Sequence, residues 1–312
     1  MKKIIRILLY ACVFLAALYG ASRLYYGVTG GFTIGNISST LAYDARWDTK
    51  PLSPQEKDVF NAILDQKFTY LGKGCQSYVF ASDDGKYVLK FFKYQRFTPQ
   101  LWLDYFAFIP AVDSYRLGKI DKKQKKLEAI FTSWKIAFEE LRPETGLVYV
   151  HLNKTDDLNK TLTIVDKMGF EHHLNLDDME FLIQKRAKML CATLNQMMEA
   201  GKAEEAKGLL TRLVKLVLSE YERGLADNDH ALMQNTGVFE GDPIHIDVGQ
   251  FVHNEEIKKS EVANQELFNK TYKFRKWLHK HHPELAKHLE EQLLLTIGEQ
   301  FHVMQPQLDK KK

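Results

Sequence analysis

Two distant stretches of this 312-residue chain hold groups that could handle an anion. In LGKGCQSYVF, residues 71–80, the pattern Gly72-x-Gly74-x-x-Ser77-x-Val79 leaves a backbone with few Cβ atoms, so it can fold closely over a phosphate. The same composition makes an ordinary flexible turn before a strand, and the glycines alone do not separate the two. Eleven residues after Val79, Tyr87-Val88-Leu89-Lys90 ends an apolar run in a lysine. An ammonium in such surroundings is costly without an anionic partner. Far downstream, Asp227-Asn228-Asp229-His230 opens a polar loop that ends in Asn235, and Ile246-Asp247-Val248-Gly249 closes a strand-like run with Asp-x-Gly.

These groups act together only if regular elements carry them to one place. FTYLGKG, QSYVFAS and KYVLKFFK alternate with period two and predict three strands, with Asp84-Gly85 as the hairpin turn between the last two. Upstream, Ser53 and Glu56 form a capping-box pattern ahead of the helical spacing of PQEKDVFNAILDQ. Residues 99–143 read as a long helix with Leu127, Ile130, Phe131, Trp134, Phe138 and Leu141 on one stripe, its lysine-rich side a solvated face. Strands are expected again at TGLVYVHL, TLTIVDKMG, FEHHLNL and EFLIQKRA. Helix is expected over 187–223, with a break near Ala200-Gly201, and over 255–301. The order implies an α+β fold in two lobes: a β-rich N-lobe over 53–186, with a preceding helix and a long inserted one, and a helical lobe over 187–312. No internal repeat is visible.

Charge and cysteine content narrow the function classes. The formal charge is +3, and residues 1–26 carry Lys2, Lys3, Arg6 and Arg23 with no acid, so the rest of the chain is close to neutral. That balance argues against nucleic acid as a partner. Cys12, Cys75 and Cys191 have neither metal-ligand nor disulfide-framework spacing. The run LLYACVFLAALYGA after a basic start reads as a membrane anchor over residues 1–26, or as a cleaved signal segment, although no A-x-A-like site follows. The positive charge before it predicts a single-pass protein with its main domain outside the cytoplasm, or a secreted one. Residues 27–52, rich in Gly, Ser and Thr, read as a linker.

Glycine turn, strand lysine, Asp–Asn loop and Asp-x-Gly, in this order, resemble the motifs of the protein-kinase-like superfamily. Gly72, Gly74, Ser77 and Val79 follow G-x-G-x-x-G-x-V with serine at the third glycine, and Val88-Leu89-Lys90 is similar to V-A-I-K. The resemblance implies a bilobal kinase-like fold that binds ATP and Mg²⁺, with Lys90 on the phosphates and Glu128 or Glu139 as its helix partner. It implies Asn235 and Asp247 as Mg²⁺ ligands and Asp229, or alternatively Asp227, as acceptor of the substrate hydroxyl proton. Lys185-Arg186-Ala187 would be the hinge that meets the adenine. The acceptor would be a protein or a small molecule. The resemblance spans roughly residues 66–252 and has departures: five residues separate Asp229 from Asn235 where four are usual, Val248 replaces the phenylalanine of D-F-G, and no A-P-E follows. The chain is therefore closer to atypical kinases with a small C-lobe. A pseudokinase acting as a membrane-tethered regulatory module is the alternative, favoured if the folded part lies in a compartment without ATP. The clusters His172-His173 and His279, His281 and His282 lack completing ligands and read as surface histidines.

Overall fold

The computed structural model describes residues 2–307. It opens with the long helix α1 (Lys2–Thr29), the single turn α2 (Ile34–Ile37) and α3 (Pro54–Leu64). In α3 the expected capping box is made: Glu56 N donates to Ser53 Oγ at 3.4 Å, and Ser53 N donates to Glu56 Oε2 at 2.8 Å. Seven strands follow in one sheet, β1 (Phe68–Lys73), β2 (Ser77–Ser82), β3 (Tyr87–Phe92), β4 (Leu147–His151), β5 (Thr161–Val165), β6 (Glu171–Asn175) and β7 (Phe181–Lys185), in the order β4-β7-β3-β2-β1-β5-β6. Gly85 takes φ +68° in the β2–β3 turn, a conformation that an L side chain resists.

Between β3 and β4 lie α4 (Trp102–Tyr105), α5 (Pro110–Glu140) and α6 (Arg142–Thr145). The remainder is β8 (Lys188–Met189), α7 (Leu190–Glu199), α8 (Ala203–Glu222), β9 (Leu225–Asp227), α9 (Leu232–Asn235), β10 (Thr236–Phe239), β11 (Asp242–His245), β12 (Phe251–His253), α10 (Ser260–His281) and α11 (Pro283–Ile297). The chain thus has the expected α+β architecture: three antiparallel strands, a long helix, further strands and then a mainly helical remainder. The stripe on α5 is buried as its spacing implies, from Leu127 to Phe138, and Leu141 just past its end is buried too.

Three expectations need correction. The helix over 99–143 is interrupted, because Pro110 disfavours helical backbone at the residue before it and starts a new helix well. Pro283 divides 255–301 into α10 and α11 for the same reason. Residues 27–52 are not a loose linker: Phe32 and Ile37 are buried, and the Phe32 ring meets Tyr78 and Phe80 edge-on at 5.4 and 5.3 Å.

The chain divides into two compact units, one of residues 1–124 with 151–183, the other of 125–150 with 184–312. The boundaries of these units fall inside α5, β4 and β7. The first unit packs on the face of β2 and β3 that carries Tyr78, Phe80 and Phe91, all of them buried. The second has a leucine-rich core shared by α7, α8, α10 and α11, including Leu209, Leu213, Leu267 and Leu289.

Candidate functional site

In the first unit, β1 and β2 pair antiparallel with a register shift between Tyr70 and Gly72, and Gly74 N donates to Ser77 O at 2.9 Å to close the turn. A Cβ on Gly72 would meet nothing within 4 Å, and one on Gly74 only Ser77 Oγ at 3.8 Å. Neither glycine has positive φ. Packing and backbone conformation therefore do not demand glycine at 72 or 74. Val79 and Lys90 are directly opposed in the β2–β3 ladder, so their side chains share one face of the sheet. Both are half-buried on the face away from Phe80.

Lys93, just past β3, was not singled out by its sequence. It is buried, donates from Nζ to Gly74 O and stands 4.7 Å over the Tyr78 ring. Burial, reinforced by the positive charges of Lys73 and Arg96, lowers its pKa to about 8. Residues on either side of the turn also hold the chain just past the end of α1. Lys73 Nζ donates to Gly30 O at 2.6 Å, and Tyr78 Oη donates to Gly31 O.

In the second unit, β9 pairs with β12, setting Asp227 opposite Phe251. Asp227 is buried and receives Lys270 Nζ on Oδ2 at 2.8 Å. Its Oδ1 accepts from Asp229 N at 3.1 Å. Asp229, half-buried, accepts from Ala231 N at 2.9 Å. The extra residue before Asn235 is taken up in the single turn α9, where Gln234 N and Asn235 N both donate to Ala231 O, at 2.9 and 3.0 Å. Ile246 N then donates to Asn235 O at 2.7 Å, which lays the segment of Asp247 beside that of Asn235.

Asp247 itself is exposed, with Oδ1 accepting from Gly249 N at 3.2 Å. Its segment is fastened to α5 by Ser133, whose buried Oγ donates to Val248 O at 2.6 Å and accepts from Phe251 N at 2.6 Å. The strand that leads into it is fixed by a buried pair, His245 Nε2 to Glu220 Oε1 at 2.6 Å, and by Gln184 Nε2 donating to His245 O at 2.8 Å. At Gly237 a Cβ would lie 2.6 Å from Ala187 Cβ and 2.8 Å from Ile246 Cγ2, so only glycine lets these segments approach.

The structure thus brings Asp227, Asp229, Asn235 and Asp247 onto adjoining segments of one unit. Gly72, Gly74, Ser77, Val79 and Lys90 lie together in the other. Glu128 and Glu139 are both half-buried on α5, in the same unit as Asp247. Arg186, in the expected hinge, lines a cavity of about 410 Å³ with Lys188, Thr193, Met197, Val238 and Phe239. A second cavity of about 500 Å³ lies beside the Asp229 loop, lined by His230, Glu261, Gln265, Glu266 and Asn269. In it His230 Nε2 and Glu266 Oε1 are 2.6 Å apart, and this hydrogen bond raises the His230 pKa.

Among the described residues no group of three or more His, Cys, Asp and Glu side chains is placed to hold a metal. Mg²⁺ needs less than that when phosphate oxygens complete its shell, and Asn235 with Asp247 offers two hard oxygen donors on neighbouring segments. The sequence histidines have other neighbours: His172 pairs with Asp166 at 2.9 Å and His279 with Glu290 at 2.7 Å, while His281 stacks on Trp277. Lys270, Ser133, Glu220 and His245 were not legible as site-supporting residues, because their partners are far away in the sequence.

No protein-family model and no curated protein matches this chain. Solved structures that align with it include a medium-resolution structure of the bifunctional kinase-methyltransferase WbdD, at 13% identity and TM-score 0.36, covering 76% of this chain and 45% of that one. A 2.2 Å structure of WbdD aligns at 13% identity and TM-score 0.36, over 70% of this chain and 43% of that one. A co-crystal structure of WbdD with the kinase inhibitor LY294002 aligns at 14% identity and TM-score 0.34, over 72% and 45%. The chain spans less than half the length of these proteins, and likeness at such scores carries no weight for fold or function.

Proposed function

We propose that the protein is an ATP- and Mg²⁺-dependent phosphotransferase of the kinase-like type, tethered to a membrane by α1. The observation that carries this reading is the backbone bond from Ile246 to Asn235, which sets the two expected metal ligands on neighbouring segments despite the extra loop residue. Glycines that packing does not require, beside a lysine opposite Val79, support a phosphate-facing turn. The cavity at Arg186 has the size of a small-molecule site, for which about 300–1,000 Å³ is usual.

In this reading Lys90 neutralises the nucleotide phosphates, and the carboxamide of Asn235 and carboxylate of Asp247 hold the Mg²⁺. When bound, that ion would offset charge on the transferred phosphoryl group. Asp229 accepts the proton of the attacking hydroxyl. Asp227 is less suited to that role, because it is buried against Lys270 whereas Asp229 is partly accessible. The acceptor, a protein or small molecule with a free hydroxyl, would enter by the polar cavity at His230 and Glu266. By the positive charge in the first turns of α1, the folded part would lie outside the cytoplasm.

The test is calorimetric titration of ATP–Mg²⁺ into the full-length chain in lipid nanodiscs, with Lys90→Ala and Asp247→Ala beside it. Binding that weakens at least tenfold in both variants, with phosphate transfer by the parent, is the expected result. Absence of nucleotide binding overturns the proposal. Binding without transfer leaves the pseudokinase reading in its place.

A further inference from the structure

Residues 101–117 expose an uncommon density of large apolar side chains. Leu101, Tyr105 and Phe108 are 77–79% exposed, and Trp102, Phe106, Ile109, Tyr115 and Leu117 are exposed as well. Single exposed apolar residues are ordinary, but a contiguous set marks a surface that something covers. The set is held in shape rather than frayed, because Arg116 bridges Asp113 of α5 at 2.8 Å and Asp104 of α4 at 3.3 Å.

Its position relative to α1 is fixed by a short chain of hydrogen bonds within the first unit. Tyr78 Oη donates to Gly31 O, two residues past the end of α1, and Gln95 Nε2 donates to Tyr78 Oη at 2.9 Å. From Gln95 to Leu101 is six residues, which span at most about 20 Å even when fully extended. The aromatic segment therefore begins close to where α1 enters the folded unit. A second apolar pair lies near the same point: Lys167 Nζ donates to Gly27 O at 2.7 Å, and its neighbours Met168 and Phe170 are exposed.

We propose that residues 101–117, with Met168 and Phe170, rest on the surface of the bilayer that α1 spans. The proposal builds on the membrane-tether reading of α1, whose 27-residue stretch from Lys3 to Thr29 is long enough and, on average, apolar enough to cross. Trp, Tyr and Phe are the side chains that favour the headgroup boundary, where an apolar ring and a polar edge are both accommodated. Arg96, Lys119, Lys122 and Lys123 flank the segment and suit the anionic lipid of that surface, with Lys123 Nζ donating to Arg96 O at 2.9 Å.

The experiment uses the full-length chain in vesicles of phosphatidylcholine and phosphatidylglycerol, with and without bromine near the headgroup end of the acyl chains. Flotation reports first whether α1 holds the protein to the vesicles. The chain has four tryptophans, so brominated lipid is expected to remove roughly a quarter of the emission through Trp102, and Trp102→Phe is expected to abolish that loss. Hydroxyl-radical labelling of the unaltered chain supplies a second readout, with Tyr105 and Phe108 expected to be protected relative to Tyr43, which is 60% exposed in the same unit. Protein that floats but shows no Trp102 quenching overturns the proposal. So does protection of Tyr105 without quenching, which would assign the surface to a second protein. Failure to float removes the membrane-tether reading and the proposal with it.

Discussion

Asp227 and Asp229 stand two residues apart in one loop, yet their surroundings differ. Asp227 and Lys270 form an ion pair with both side chains 2% exposed, so removing one partner leaves a buried charge uncompensated. Lys270→Met is expected to cost about 3–5 kcal/mol, read from urea unfolding, and Asp227→Asn combined with it to recover much of that loss. Equal loss in the single and double variants would show that the pair has no such role. At His230 the pKa is raised mainly by the hydrogen bond to Glu266. The bond's contribution to stability is full below the unfolded value of about 6.5 and is lost as pH rises through the raised folded value. Proton NMR of the His230 ring should give a midpoint above 6.5 that falls in Glu266→Gln; an unchanged midpoint would contradict the assigned cause. Lys93 has the opposite sign. Its folded pKa of about 8 lies below the unfolded one, so the unfolded state binds more protons in between. Its charge therefore opposes folding below about pH 8, and that opposition fades as pH rises toward the unfolded value.

At the scale of elements, Ser133 links the middle of α5 to both ends of the Val248–Phe251 segment. Ser133→Ala leaves the Phe251 N–H and the Val248 carbonyl without this partner in a buried place, a cost of about 1–3 kcal/mol. Amide exchange at residues 247–251 should accelerate accordingly, and ATP–Mg²⁺ binding, where present, should weaken. Exchange unchanged from the parent would refute the link. Most element types were legible before any coordinates, because they rest on local signals. Ser53 with Glu56, Asp84-Gly85 and the period-two runs each specify their structure within a few residues. The apolar stripe of α5 did so over three turns. What the sequence hid was non-local. Lys270 lies 43 residues after Asp227, and Ser133 lies 115 residues before Val248, and no periodicity connects either pair. The splits at Pro110 and Pro283 are local signals as well, since each proline starts a new helix within a longer apolar pattern.

At the scale of the whole chain, the stretch between α1 and α3 is packed into the fold rather than standing apart from it. Phe32 packs on Tyr78 and Phe80, Ile37 is fully buried, and Ser39 Oγ donates to the buried carboxylate of Glu180 at 2.6 Å. Tyr94 Oη donates to the other oxygen of Glu180 at 2.8 Å, so the carboxylate depends on donors from two separate segments. Burial raises the Glu180 pKa, and the Ser39 hydroxyl works against that rise. A chain that begins at residue 50 loses the contacts of Phe32, Ile37 and Ser39 and keeps only Tyr94 on Glu180, while one that begins at residue 27 keeps them all. Burying Phe32 and Ile37 stabilises by about 1.5–3 kcal/mol each, so together they represent a large part of the roughly 5–15 kcal/mol that holds a domain. Thermal unfolding of 27–312 and 50–312 side by side should therefore differ on the order of 10 °C, the longer chain being the more stable. In 27–312, Phe32→Ala should erase roughly half of the difference, since it removes one of the two buried side chains that make it. Equal melting of the two chains would mean that residues 27–49 are a tether after all, and the first unit would then begin at α3.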